Sequence, residues 1–216
     1  MTLAPGAGRE MLVPGPELYA VESGTLGIRV DGPAFLTRAP TNDEAARREE
    51  MEPGVDYVLR PGDQALVLVR VGHHLVNDGL DPVKFLNVVI FTSSSVVPSW
   101  LPDAELPSGF AETPLATEIV GELGVLPVGA AEIVVQRATV APDKNVPQAM
   151  TEGFALIVVE EGELSVSTSD EAPTTHLRGE VVRATPENPV KAWNAAEGSL
   201  KITSLIISPA ETKRNR

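Results

Sequence analysis

The feature that most constrains this chain is that its sequence reads twice. Residues 3–30 run Leu-Ala-Pro-Gly, then a loop, then Pro-Glu-Leu-Tyr-Ala-Val-Glu-Ser-Gly-Thr-Leu-Gly-Ile-Arg-Val. Residues 140–168 run Val-Ala-Pro-Asp, then a loop, then Phe-Ala-Leu-Ile-Val-Val-Glu-Glu-Gly-Glu-Leu-Ser-Val-Ser-Thr. Pro5 matches Pro142, and Gly24-Thr25-Leu26 matches Gly162-Glu163-Leu164. Two apolar runs around a glycine turn are the signal of a β-hairpin. The match then continues. Leu59-Arg60-Pro61-Gly62-Asp63 precedes Gln-Ala-Leu-Val, and Leu177-Arg178-Gly179-Glu180 precedes Val-Val-Arg-Ala. Asn77 pairs with Asn194, and Lys84–Ile90 with Lys201–Ile207 at the same distance beyond. A repeat this long gives each copy enough chain for a core of its own.

Composition says what the copies are made of. Aromatic residues are 4%, so Val, Leu, Ile and Ala carry the apolar content, and 19 Pro with 18 Gly punctuate it. Short strands joined by turns satisfy that pattern better than long helices. The expectation is an N-terminal β unit over 1–98, a connection over 99–128, a C-terminal β unit over 129–210 and a basic tail at 211–216. Within the connection, Thr117–Leu123 alternates weakly and is a candidate strand. Ala131–Val140 is expected to open the second unit. The first copy also holds a charged insertion, 38–53. Its run Asp43-Glu-Ala-Ala-Arg-Arg-Glu-Glu50 predicts a short solvated helix or a loop.

Charge and cysteine count exclude several functions. The net charge is −13. An acidic surface repels nucleic-acid phosphates and anionic lipid, so neither is an expected partner. There is no cysteine, hence no disulfide, thiolate metal site or cysteine nucleophile. No apolar run is long enough to cross a bilayer. The first residues lack the basic and apolar stretches of a secretory signal. The chain therefore reads as soluble, either cytoplasmic or exported with its signal removed.

Two motif-like stretches carry a family resemblance. Glu17 precedes Gly24 by seven positions within Pro14–Gly24. Arg60-Pro61-Gly62-Asp63 is later followed by His73-x-x-x-Asn77. In this order the stretches resemble the first and second motifs of the cupin superfamily, and the resemblance covers most of the chain as two units. It implies an all-β fold: two cupin-like antiparallel β-barrels of jelly-roll type in tandem, a bicupin, each enclosing a small interior. Such proteins often pair, so a homo-oligomer is an expectation of the same kind.

The metal chemistry of that family is mostly missing here. The resemblance implies a site of two histidines and a glutamate from the first motif and one histidine from the second. The two leading histidine places fall on Met11 and Val13, while Glu17 and His73 stand at the other two. In the second copy the places fall near Gln148 and Met150, then on Ala155 and Val190. No metal and no other cofactor is therefore expected. His73 and His74 are neighbours on a predicted strand and must point to opposite faces. If His73 faces inward, it and Glu17 form either a satisfied core pair or a ligand-contacting, acid–base pair. They are the two catalytic candidates. Tyr19 shares the face of Glu17, and Asn77 follows His73, so the expected ligand-binding set is Glu17, Tyr19, His73 and Asn77. The competing reading makes Asn77 and Asn194 turn-fixing residues. Met11 and Met150 would fill the mouths of the units, Trp100 and Trp193 would be packing anchors, and His176 would be exposed.

Three functions follow, from which the sequence leans to the first. The chain is a small-ligand-binding or structural module without metal chemistry. Alternatively it is a metal-independent enzyme of isomerase or epimerase type using His73 and Glu17. Least in keeping with Met11 and Val13, it is a metal-dependent oxygenase with an incomplete site.

Overall fold

The structure, a computed structural model, describes residues 1–12, 14–90, 108–111, 131–147, 154–168 and 172–209. The chain divides into two compact units, Met1–Thr113 and Pro114–Arg216. Both are built of antiparallel strands, and no helix occurs among the described residues.

The first unit contains β1 (Thr2–Leu3), β2 (Gly8–Leu12), β3 (Glu17–Ser23), β4 (Leu26–Val30), β5 (Ala34–Arg38) and β6 (Arg47–Met51). It continues with β7 (Asp56–Leu59), β8 (Gln64–Val67), β9 (Gly72–Val76), β10 (Val83–Val89) and β11 (Phe110–Ala111). They make a seven-stranded sheet ordered β11-β1-β10-β3-β8-β5-β6 and a four-stranded sheet ordered β2-β9-β4-β7. Along β4 every second side chain is buried, as a half-buried strand requires. Leu26, Ile28 and Val30 from the smaller sheet share one core with Tyr19, Val21, Leu36 and Phe85 from the larger. The two sheets are thus the two layers of one hydrophobic core.

The second unit contains β12 (Ala131–Val140), β13 (Phe154–Glu161), β14 (Leu164–Ser167), β15 (Thr174–His176), β16 (Val181–Ala184), β17 (Lys191–Trp193) and β18 (Leu200–Pro209). Its sheets are ordered β12-β18-β13-β16 and β15-β14-β17. The central orders of the first unit, β10-β3-β8 and β9-β4-β7, therefore recur as β18-β13-β16 and β17-β14-β15.

The fine bonding recurs as well. The Asn77 Nδ2 group donates to the carbonyls of Leu3 and Asp81, and its Oδ1 accepts from Gly79 N–H. Asn194 does the same with Val140, Gly198 and Ala196. The turn glycines correspond too. Gly24 and Gly162 sit at φ 75° and 83°. A Cβ there would stand 3.0 Å from the Pro82 carbonyl oxygen in one unit and 2.8 Å from that of Ser199 in the other. Both the backbone angle and the close approach require glycine. The N–H groups of Gly62 and Gly179 donate to Val21 and Val159, each at 2.8 Å.

Two expectations are corrected. First, the insertion at 38–53 is neither a helix nor a free loop: its second half is β6, paired with β5. Tertiary pairing overrides the helix preference of Glu, Ala and Arg. The alternating charges are used across the hairpin. The Arg48 guanidinium lies 4.1 Å from the centroid of the Phe35 ring, Arg38 lies 3.4 Å from Glu49, and Met51 anchors the end in the core. Arg38 also donates to Val58 O and Asp63, both at 2.8 Å, tying the hairpin to the β7–β8 turn. Second, the first unit does not end at residue 98, because Phe110–Ala111 pairs with Thr2–Leu3 at the edge of its larger sheet. The all-β fold class holds: each unit, among the described residues, is a pair of antiparallel sheets. Thr117–Leu123, Trp100, Val13, Gln148, Met150 and the basic tail lie outside the described residues.

Candidate functional site

The interior of the first unit contains a cluster of polar side chains drawn from four strands. Glu17 and Tyr19 are two apart on β3 and therefore point to the same face. Their neighbours in the larger sheet include Asn87 on β10, which sits opposite Tyr19. Met11 on β2 and His73 on β9 sit opposite each other in the smaller sheet. The two sheets bring all five side chains together. Glu17, Tyr19 and His73 are 1%, 0% and 1% exposed, whereas His74 next door is only half-buried.

The geometry is close. Tyr19 Oη lies 2.7 Å from His73 Nε2 and 3.3 Å from Met11 Sδ. His73 Nδ1 lies 3.1 Å from the Val71 carbonyl oxygen. Asn87 donates to Glu17 Oε1 at 2.8 Å. Glu17 Oε2 stands 3.3 Å from His73 Nε2 and has no well-formed hydrogen bond of its own. The Tyr19 and His73 rings meet edge to face with centroids 5.6 Å apart. Burial pushes the Tyr19 phenol well above its ordinary value near 10. The neighbouring Glu17 carboxylate adds to the effect, and the Arg9 guanidinium opposes it. This phenol is a neutral hydroxyl at any physiological pH.

The expected ligand-binding set thus divides. Glu17, Tyr19 and His73 converge, while the Asn77 amide is committed to three main-chain groups at the β9–β10 turn. Asn77 holds the chain there, as Asn194 does in the second unit. His176 is half-buried on β15, 3.2 Å from the Thr174 hydroxyl, rather than fully exposed. Asn87 was not singled out in the sequence. A signal existed: it is the lone polar residue within Phe85–Ile90, and its match in the second copy, Ser204, is also polar.

The corresponding places in the second unit are apolar. Ile157 pairs with Ser204 and Val182 as Tyr19 pairs with Asn87 and Ala65. Ala155 takes the place of Glu17, and both Ala155 and Ile157 belong to the second core.

The described residues do not fit a transition metal. Such an ion takes several imidazole or carboxylate donors around one point. Among the described residues no group of three His, Cys, Asp or Glu side chains stands together. Of the two His73 ring nitrogens, Nδ1 faces the Val71 carbonyl oxygen and Nε2 is engaged by Tyr19.

No protein-family model matches the chain, and no curated protein matches it significantly. Among solved structures it is similar to a glyoxylate-induced protein, so described provisionally, from Pseudomonas aeruginosa, at 14% identity and TM-score 0.48, covering 96% of this chain and 72% of that one. It is also similar to AerE from Microcystis aeruginosa, at 15% identity and TM-score 0.47, covering 96% and 85%. A third is a cupin 2 conserved barrel domain protein from Leptotrichia buccalis, at 14% identity and TM-score 0.38, covering 96% and 81%.

Proposed function

We propose that this chain is a tandem cupin-type protein, its halves copies of one unit, that acts as a binding or structural module and not as a metal-dependent catalyst. One observation supports the reading above the rest. The polar atoms in the first interior bond to one another, with Tyr19 on His73 Nε2 and Asn87 on Glu17. Acid–base catalysis by His73 and Glu17 needs a substrate within hydrogen-bond reach of both. Residues 1% exposed, whose polar atoms other than Glu17 Oε2 are engaged with internal partners, favour a core set over a working pair. In the second unit the same places hold Ala155, Ile157 and Val190, which offer no donor.

The test is metal content. Protein purified without chelator is expected to carry transition metal well below one equivalent. A stoichiometric metal, lost together with Glu17→Ala or His73→Ala in folded protein, would refute the reading.

A further inference from the structure

We infer that two copies of this chain pair through β12, antiparallel and centred on Val134, so that the sheet β12-β18-β13-β16 of one copy continues into that of the other. The surface lies in the second unit and involves neither Glu17 nor His73, so it is independent of the functional reading above.

β12 ends its sheet, and among the described residues it pairs with β18 alone. It runs ten residues, Ala131–Val140. Ala131, Glu132, Gln136, Arg137 and Thr139 are exposed along it, whereas its neighbour β18 is mostly buried. An edge strand presents an open row of main-chain N–H and C=O groups, and soluble proteins guard such rows by keeping them short or charged. The other edges of this molecule are guarded in that way. β11, β15 and β17 have two or three residues, and β7 and β16 have four. β6 carries Arg47, Arg48, Glu49 and Glu50 in its five residues, and β2 carries Arg9 and Glu10. β12 has neither protection: between Glu132 and Arg137 stand Ile133, Val134, Val135 and Gln136. The matching edge of the first unit is already taken. β1 holds the place beside β10 that β12 holds beside β18, and its other side pairs with β11.

The sequence of β12 fits a second copy of itself. Two antiparallel copies of one strand are related by a two-fold axis perpendicular to the sheet, and every contact off the axis is made twice. With the axis at Val134, that residue meets its own copy, Ile133 meets Val135 and Glu132 meets Gln136. The apolar pairs are β-branched on both sides, which suits a cross-strand contact. The Gln136 amide can donate to the Glu132 carboxylate. Moving the axis by one residue to Val135 sets Ile133 against Arg137 and Val134 against Gln136, so the pattern selects Val134. The faces agree as well. Val134 packs on the second core, Ile133 and Val135 point to the opposite face, and this axis keeps each face continuous across the join.

The experiment is sedimentation equilibrium of the full chain at about 0.15 M salt, where repulsion between exposed charges is screened beyond about 8 Å; this matters for a chain of net charge −13. The expected mass is twice the 22.9 kDa of one chain. Gln136→Glu changes an exposed residue and sets carboxylate against carboxylate at two symmetric places, which should raise the dissociation constant about tenfold. Adding Glu132→Lys sets opposite charges together there and should restore the dimer. Val134→Cys tests the register. The chain has no cysteine, and opposed side chains of an antiparallel pair have Cβ atoms about 5 Å apart, close enough for a disulfide with slight adjustment. Diamide, which takes up the two thiol hydrogens, is expected to convert this variant to a covalent dimer. Thr139→Cys, on the same edge but five positions from the axis, should stay uncoupled under the same treatment. A chain that sediments as a monomer up to its highest soluble concentration overturns the inference. So does a dimer that is indifferent to Gln136→Glu, or one that yields no disulfide from Val134→Cys. A stoichiometric metal would refute the functional reading and leave this pairing untouched, and a monomer would leave that reading untouched.

Discussion

Replacing His73 by valine, the residue at the matching place in the second unit, tests whether the buried cluster is a coupled set. Removing the imidazole takes away the partner of Glu17 Oε2 and the acceptor of the Tyr19 hydroxyl. Breaking a buried pair by deleting one member costs about 3–5 kcal/mol, because the other member stays buried. Tyr19 can return about 1 kcal/mol by turning its hydrogen to Glu17. The net loss for the first unit is therefore about 2–4 kcal/mol. His74→Val, at a half-buried site on the opposite face of β9, is expected within about 0.5 kcal/mol of the parent. Adding Glu17→Gln to His73→Val replaces the stranded carboxylate by a neutral amide that Tyr19 and Asn87 can both meet. The double variant should recover about 1–2 kcal/mol, a non-additivity that only coupled residues show. Because the chain has two units, one melting temperature is not a defined stability. The assay is native-state hydrogen exchange of amides in β3 and β9 against those in β13 and β14. A loss below about 1 kcal/mol for His73→Val, or simple additivity in the double variant, would refute the coupled-set argument.

Two further outcomes follow from the same geometry. In Tyr57→Phe only Tyr19 can ionise, since the chain has two tyrosines. Its phenolate absorbance near 295 nm should be absent until well above pH 10 and should then rise together with unfolding. The sign is that of a folded-state value raised above the unfolded one: the stability is fully present below about pH 10 and is lost as pH climbs past it. A phenolate signal near pH 10 in folded protein would contradict this. Asn77→Ala and Asn194→Ala each remove three side-chain bonds to the main chain. At about 1 kcal/mol per bond, each should destabilise its own unit by about 3 kcal/mol, as read by unit-resolved hydrogen exchange. A large difference between the two would mean that the matched geometry hides unequal energetics.

How much of this was legible in the sequence depends on whether a feature is local. The glycine turns, Asn77 with Asn194, and the central strands of both units stand in the sequence as short motifs at fixed order. The turns and strands are decided within a few residues, by a positive φ or an alternating run, while each Asn also reaches a distant carbonyl, Leu3 or Val140. The β5–β6 hairpin was not legible, because Asp43–Glu50 prefers helix by composition and its second half, from Arg47, becomes strand only through its pairing with β5. The reach of the first unit beyond residue 98 was hidden for a similar reason. The two residues Phe110–Ala111 become a strand only by pairing with Thr2–Leu3, more than a hundred positions away.

The candidate site divides along the same line. Glu17, Tyr19 and His73 could be named from spacing, since positions two apart on a strand share a face and adjacent ones oppose. What could not be read was that they satisfy one another, because that depends on atoms from two sheets and on Asn87, 70 positions from the carboxylate it holds. Counting ligand types saw only that Met11 and Val13 stand where the resemblance puts two imidazoles. Physically, a buried polar side chain is stable only with its partners supplied, so a set of matching interior places has two stable solutions. Either polar partners surround the set, as Tyr19, Asn87 and Met11 do around Glu17 and His73, or the matching places are apolar, as Ala155, Ile157 and Val190 are. The two units occupy the two outcomes. Ser204 is the polar exception in the second: it sits at the place matching Asn87 of the first unit, and its Oγ is buried without a hydrogen-bond partner among the described residues, because its apolar neighbours Ala155 and Ile157 offer none.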